Sequence, residues 1–363
     1  MVRCASTSLG LLVGIGAVAA AAVATSHSPV PHPYTSVVGR PLKPLPKLRR
    51  HVTASSGVGI RAAPWCAPGQ ACWPTSAQWT ALNTSVGGNL IAVAPPLAPC
   101  FGTFPGVPYD GTVCNAAISN FSNSYWRASQ PGASQEVVWE QGADGSDCYD
   151  AAKPCELGNI PPYAVRAAQA SDVAHALAFA RTHNIRVIIK SSGHEYQGRS
   201  AGADGLLIWL HEMKGVVVHD TYAACPGDAP QPAVTTAPGS SWGEVYAAAD
   251  AAHVVVVGGS EISVSSCGGY SFGGGHSWTG PAYGMAADNA LRFDVVLANG
   301  TAVTASACSN EDLFWALRGG GGGTFGVVTS CTYAAHPFPA AGAAGAFLTV
   351  ELLQGNVSYA VRR

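Results

Sequence analysis

Three glycine-rich stretches hold the residue types best suited to gripping an anion. The first, Ser191-Ser192-Gly193-His194-Glu195-Tyr196-Gln197-Gly198-Arg199-Ser200, combines glycine with serine hydroxyls, an imidazole and a guanidinium. The second runs from Gly268 to His276 and the third from Gly319 to Gly326. Backbone that must approach a phosphate needs glycine to remove the Cβ and free amides to donate to oxygen. Any one of these loops could be a permissive turn; together they favour a large phosphorylated cofactor.

Two motifs point elsewhere and must be weighed. Gly321, Gly323 and Gly326 have the spacing of a dinucleotide fingerprint. That fingerprint needs a strand before it and a helix N-terminus after it; here a helical pattern precedes and the β-branched Val327-Val328-Thr329 follows. Gly239-Ser240-Ser241-Trp242-Gly243 matches a nucleophile elbow, and a serine hydrolase acting through Ser241 is one alternative function. Ser241 is better used as a helix cap, because Glu244 stands three residues on, and no HGGG-type oxyanion loop precedes it. The sequence has no CxxC pair and no HExxH, so no metal site is expected.

The elements around the loops alternate. Ser171 or Asp172 can cap a helix whose Val173, Ala176, Leu177 and Ala180 share a face and which Asn184 ends. Strands are predicted at 186–190, 206–210 and 216–218, with a possible strand at 233–237. The helix starting after Ser241 is followed by the apolar run 254–257. Strands at 291–298 and 301–304 flank Asn299-Gly300, a dipeptide suited to a type I′ hairpin because both central residues need positive φ. A helix over about 311–318 and a strand over 326–333 complete the ordered region. This order predicts an α+β fold with mixed sheets and helices, and no internal repeat.

A chain of 363 residues with 48% hydrophobic and 11% charged residues can bury a core large enough for a cofactor. Its formal charge of -2 leaves no footprint for nucleic acid or anionic lipid. Eleven cysteines without metal motifs place it in an oxidising compartment. Arg3, the apolar run 9–24 and Ala22-Val23-Ala24 read as a signal peptide over 1–26, which would carry Cys4 away and leave ten cysteines able to pair in an unspecified order. Such a protein is expected to be secreted, extracellular, and free of the membrane after cleavage; the alternative is a signal anchor that stays uncleaved, which the apolar run is short for. Sequons at Asn83, Asn120, Asn299 and Asn356 fit a glycoprotein. Residues 27–64 form a Pro-rich basic linker, and 65–157 a Cys-rich N-terminal extension with little periodicity.

With the loops in hand, the chain resembles the secreted FAD-linked oxidases of the vanillyl-alcohol-oxidase and p-cresol-methylhydroxylase flavin fold, berberine-bridge-enzyme-like branch. The resemblance runs through Pro162-Tyr163-Ala164-Val165, Asp172-Val173, the Lys190 to Ser200 loop, Gly258-Gly259, the Gly268 to His276 loop, Tyr283-Gly284, Asp288-Asn289, Val295-Val296 and Asp312 to Val328. It covers roughly residues 158 to 340 as an FAD-binding domain of p-cresol-methylhydroxylase type. It implies FAD contacts from Ser191, Ser192, Gly193, His194, Gly198, Arg199, Ser200, Gly259, Ser263, Gly268, Gly269, Gly274, Gly275, His276, Asp288, Gly326 and Val328.

In this family the histidine of a Gly-His-x-x-x-Gly-Arg-Ser loop carries the flavin through its 8α-methyl group, a role that the resemblance gives to His194. Many members add a second tether through a cysteine; counting between the glycine pairs Gly258-Gly259 and Gly268-Gly269 puts that position on Glu261. Cys267 is then expected to be buried or in a disulfide, and Ser265 stands where the family has glycine. The implied reaction is hydride transfer from a small organic substrate to flavin, with oxygen as acceptor. A flavin-binding protein without catalysis is the other alternative. The family's second domain supplies the pocket and a general base, often a tyrosine. Here residues 346–353 resemble that domain's first strand, 341–363 read as its truncated start, and a fragment is the expectation; no catalytic residue is assigned.

Overall fold

The computed structural model describes residues 65–150 and 152–338; the signal-like segment, the Pro-rich linker and the residues after 338 lie outside them. The N-terminal region carries α1 (Ser76–Ser85), β1 (Leu90–Ala92), α2 (Ala98–Phe101), α3 (Gly111–Ser119) and α4 (Ser124–Ala128). Little periodicity marks them because few of their residues face a core: α1 buries Trp79 and Leu82, and α3 buries Cys114 and Ala117. Their starts are fixed by side-chain caps, Thr75 with Gln78 on α1, Asp110 on α3 and Asn123 on α4.

Next come β2 (Tyr163–Arg166), α5 (Ala170–Thr182), β3 (Arg186–Lys190) and β4 (Gly205–Trp209). The first sheet has the order β1-β2-β4-β3, with β4 parallel to both of its neighbours and β1 antiparallel to β2. A parallel pair needs a crossover, which α5 supplies. Every residue of β4 is buried, since helices cover one face and the N-terminal region the other. Leu206 and Ile208 pack with Trp79 and Val173, while Leu207 and Trp209 pack with Val93 and Ile188. The cap of α5 differs from expectation. Gln169 is the N-cap, and Asp172 sits at the third helical position, where its carboxylate accepts the Ala168 and Gln169 amides. Asn184 does lie past the helix end, at φ 51°.

The second sheet is antiparallel. It is built from β5 (Val216–Tyr222), β6 (Gln231–Thr236), β7 (Val254–Val256), β8 (Ala290–Val296), β9 (Ala302–Ser306) and β10 (Val327–Pro337), in the order β5-β6-β10-β8-β9 with β7 along the far end of β10. Between these strands lie α6 (Trp242–Ala251), α7 (Gly269–Phe272), α8 (Gly280–Tyr283) and α9 (Glu311–Leu317). Trp242, Phe293, Phe314 and Tyr333 fill the core under this sheet. Mixed sheet content and helices together give the α+β class.

The 299–300 turn is not type I′. Gly300 has φ 89°, but Asn299 is not among the positive-φ residues, and its side chain instead accepts the Thr301 amide at 2.9 Å. The Gly300 amide returns to the Leu297 carbonyl at 2.8 Å, so the turn is longer than the two-residue form. All ten described cysteines pair: 66 with 72, 100 with 114, 148 with 155, 225 with 308, and 267 with 331. The last ties the second glycine loop to the centre of β10. Among the described residues no helix is long and apolar enough to cross a membrane, and no cluster of metal-ligating side chains occurs.

Candidate flavin site

The three glycine loops converge. The first leaves β3, the second opens into α7, and the third joins α9 to β10. Ser192 Oγ accepts the Ser265 amide at 3.0 Å, and the Gly321 amide donates to Phe272 O at 2.9 Å. They wall one cavity of about 760 Å³. As expected from the spacing alone, a helix precedes the third loop and a strand follows it.

Twelve of the predicted residues line that cavity: Ser191, Ser192, Gly193, His194, Arg199, Ser200, Gly259, Gly268, Gly269, His276, Gly326 and Val328. Five do not. Gly198 lies under Trp139, where a Cβ would stand 2.5 Å from the indole. Ser263 stands behind the cavity, bonded to His194 and Glu261 in its wall. Gly274 and Gly275 accept the Ala287 and Ala286 amides in a turn at positive φ, and Asp288 caps that turn at the Met285 amide. These three shape the loop rather than its mouth, because their backbone and carboxylate groups are consumed by the turn. A second hollow of about 620 Å³ beside α6 and β7 includes Gly259 alone of the predicted residues.

His194 Nε2 lies 2.7 Å from Ser263 Oγ, whose hydroxyl donates to Glu261 Oε1 at 2.6 Å. Burial lowers the His194 pKa from its ordinary 6.5, opposed by the Glu261 and Glu136 carboxylates. Glu261 is held below the usual carboxylate range, chiefly by the Ser263 hydroxyl and amide. The Arg199 guanidinium is paired: Nε and Nη2 donate to Glu195 Oε1 at 3.0 and 2.9 Å. Glu195 also takes the Gln197 and Arg199 amides, and these bonds outweigh its partial burial to lower its pKa. Ser265 turns its hydroxyl onto Pro238 O at 2.7 Å.

Sequence reasoning missed the support behind the first loop. Lys190 is fully buried and donates to the carbonyls of Gln130, Pro131 and Ala133 at 2.9, 2.7 and 2.8 Å. Burial pushes its pKa down to about 7 while Glu140 pulls it up; three acceptors call for three N–H donors, which only the ammonium form has. Glu140 is itself buried between Arg127 and the Tyr149 hydroxyl. Burial raises its pKa despite Arg127. Gln135 then clasps the loop directly, donating from its amide to Gly193 O and from its side chain to Ser192 O. Partners almost sixty residues away leave no local signal in the sequence.

A phosphorylated cofactor fits these walls. The amides of Ser192, Gly193, His194, Gly322 and Gly323 find no hydrogen-bond partner among the described residues. Such donors beside a cavity suit oxygen anions. Ser241 carries no comparable chemistry: its Oγ accepts the Glu244 amide at 3.3 Å and the Glu244 carboxylate accepts its amide at 2.6 Å, so it is the cap of α6 and not an exposed nucleophile.

Residues 161–306 match the family described as the FAD binding domain. An FAD-linked oxidoreductase of Gibberella zeae is 43% identical over 277 residues, which span 75% of this chain and 47% of that protein. A VAO-type flavoprotein oxidase of Thermothelomyces thermophilus is 38% identical over 303 residues, 81% of this chain and 52% of its own length. The crystal structure of a VAO-type flavoprotein from Myceliophthora thermophila C1 superposes with a TM-score of 0.70 at 38% identity, covering 76% of this chain and 50% of that one. Residues 161–306 thus match an FAD binding domain, and the described fold is similar to that of a VAO-type flavoprotein. It spans about half the length of the curated relatives that it matches.

Proposed function

We propose that the protein is an FAD-dependent oxidoreductase that takes hydride from a small organic substrate, passes the electrons to oxygen, and holds its flavin covalently through His194. The observation that carries this reading is the convergence of three glycine loops on one cavity with His194 in its wall and unpaired amides around it. Bound FAD supplies the hydride acceptor. The chain's own residues would do the holding: the loop amides would donate to the phosphates, while the Lys190 and Gln135 contacts fix the first loop against the N-terminal region. His194, kept neutral by burial, is a competent nucleophile toward an electrophilic methyl carbon. The VAO-type oxidase relatives support the same reaction class. We also propose export to an oxidising, extracellular setting, supported by five disulfides, with Asn299 at an exposed turn as a glycan acceptor.

The test is direct. Full chain produced with FAD should show a flavin spectrum, keep it through acid precipitation and fluoresce as a denatured band on a gel, and a version extended with the second half that its relatives carry should release peroxide on a panel of alcohols, sugars and amines. Flavin wholly released by acid overturns the covalent reading. A colourless protein overturns the function.

A further inference from the structure

We propose that Ser263 and Glu261 form a proton-accepting relay behind His194 that fixes its ring tautomer for flavin attachment; this rests on His194 being the attachment point. Ser263 has one hydroxyl hydrogen, and it goes to Glu261 Oε1 at 2.6 Å, an oxygen that also accepts the Ser263 amide at 3.0 Å. Toward His194, 2.7 Å away, the Ser263 oxygen can therefore only accept, so Nε2 must carry the hydrogen. A neutral imidazole has one N–H, which leaves the Nδ1 lone pair free. Neutrality is favoured because burial outweighs Glu261 and Glu136, the two carboxylates that act on the ring.

The relay also gives the proton somewhere to go. Attachment forms one bond, from Nδ1 to the flavin 8α carbon, and breaks one C–H bond there. Two electrons and two protons leave overall; dioxygen takes them and becomes hydrogen peroxide. One of those protons is the Nε2 hydrogen, which passes to Ser263 as the Ser263 hydrogen passes to Glu261. Ser263 is 3% exposed, whereas Glu261 lies exposed at the cavity and can hand its proton to water. Glu261 stands at the position where the family resemblance places a second tethering cysteine. Here that position serves the single histidine tether.

The experiment uses the full chain as wild type, S263A, S263T and E261Q, with histidine ¹⁵N labelling, purified without flavin for the tautomer spectrum and then given FAD to follow attachment. The relay predicts an Nε2–H signature for His194 in the wild type before FAD is added, because attachment removes that hydrogen. Removing the link (S263A) or the acceptor charge (E261Q) should slow formation of acid-stable flavin by about 100-fold, as loss of a general base does. The acid-stable share is read against total bound flavin in each variant, and S263T, which keeps the hydroxyl, should attach normally. The pH at which attachment reaches half its maximal rate should move in E261Q. Wild-type attachment rates in both S263A and E261Q, or an Nδ1–H signature in the wild type, overturn the relay. If wild-type flavin is acid-labile, or H194A still binds it covalently, the attachment reading has failed instead. The tautomer spectrum still decides the relay in that case: Nε2–H in the wild type and its loss in S263A support it, and Nδ1–H refutes it.

Discussion

Gly322 lies so close to Gly269 that a Cβ added to it would stand 2.9 Å from the Gly269 Cα. The second and third loops meet here backbone to backbone, and neither can yield by rotating a side chain. Gly322→Ala should therefore displace the third loop from the second and lower the flavin-to-protein ratio after desalting at least about tenfold, with a stability loss of about 1–3 kcal/mol typical of overpacking. Gly280→Ala is the control, since nothing lies within 4 Å of its added Cβ. Equal flavin content in both variants would show that the contact does not shape the site.

The Lys190 ammonium joins the first glycine loop to the N-terminal region. Lys190→Met keeps the length of the side chain but leaves the carbonyls of Gln130, Pro131 and Ala133 without their donor. The expected cost is about 3 kcal/mol or more, the scale for losing charge-assisted hydrogen bonds in a buried place. A urea midpoint unchanged from wild type would refute it.

What the sequence made legible was local chemistry. Glycine loops, the Ser241–Glu244 capping box and the apolar strands are written in neighbouring residues, and the structure places them where their spacing predicted. Juxtapositions across long separations were not legible. Lys190 reads as the last residue of a strand, and nothing near it announces acceptors 57 to 60 residues upstream. Ser263 likewise meets His194 across 69 residues. The Asn299 turn failed for a different reason: its side chain found an amide to bind, so the backbone had no need of a second positive φ.

Ser241 separates two functional readings through its stability effect. As the N-cap of α6, Ser241→Ala should cost about 0.5–2 kcal/mol while leaving flavin content intact. Hydrolysis of an ester substrate that disappears in this variant would restore the nucleophile reading. Fluorophosphonate labelling of the wild type offers the same decision from the other side.

Acid sensitivity follows from the two histidines whose pKa values burial lowers, His194 and His336. A histidine held below its ordinary 6.5 binds fewer protons in the folded state than in the unfolded one. Folding stability therefore rises with pH through the window below 6.5, and acidification across it favours unfolding. His194→Gln removes one such group while its amide can still reach Ser263. Urea unfolding at pH 7.5 and 5.5 should show a smaller stability loss on acidification in His194→Gln than in wild type, and a smaller one again when His336→Gln is added. Glu140 acts with the opposite sign, because its raised pKa makes the folded state bind more protons. It is present in every variant, so its share cancels in the differences. Parallel losses in all three proteins would mean that neither ring is held neutral by its surroundings, and the nucleophilic form of His194 near neutral pH would lose its physical basis.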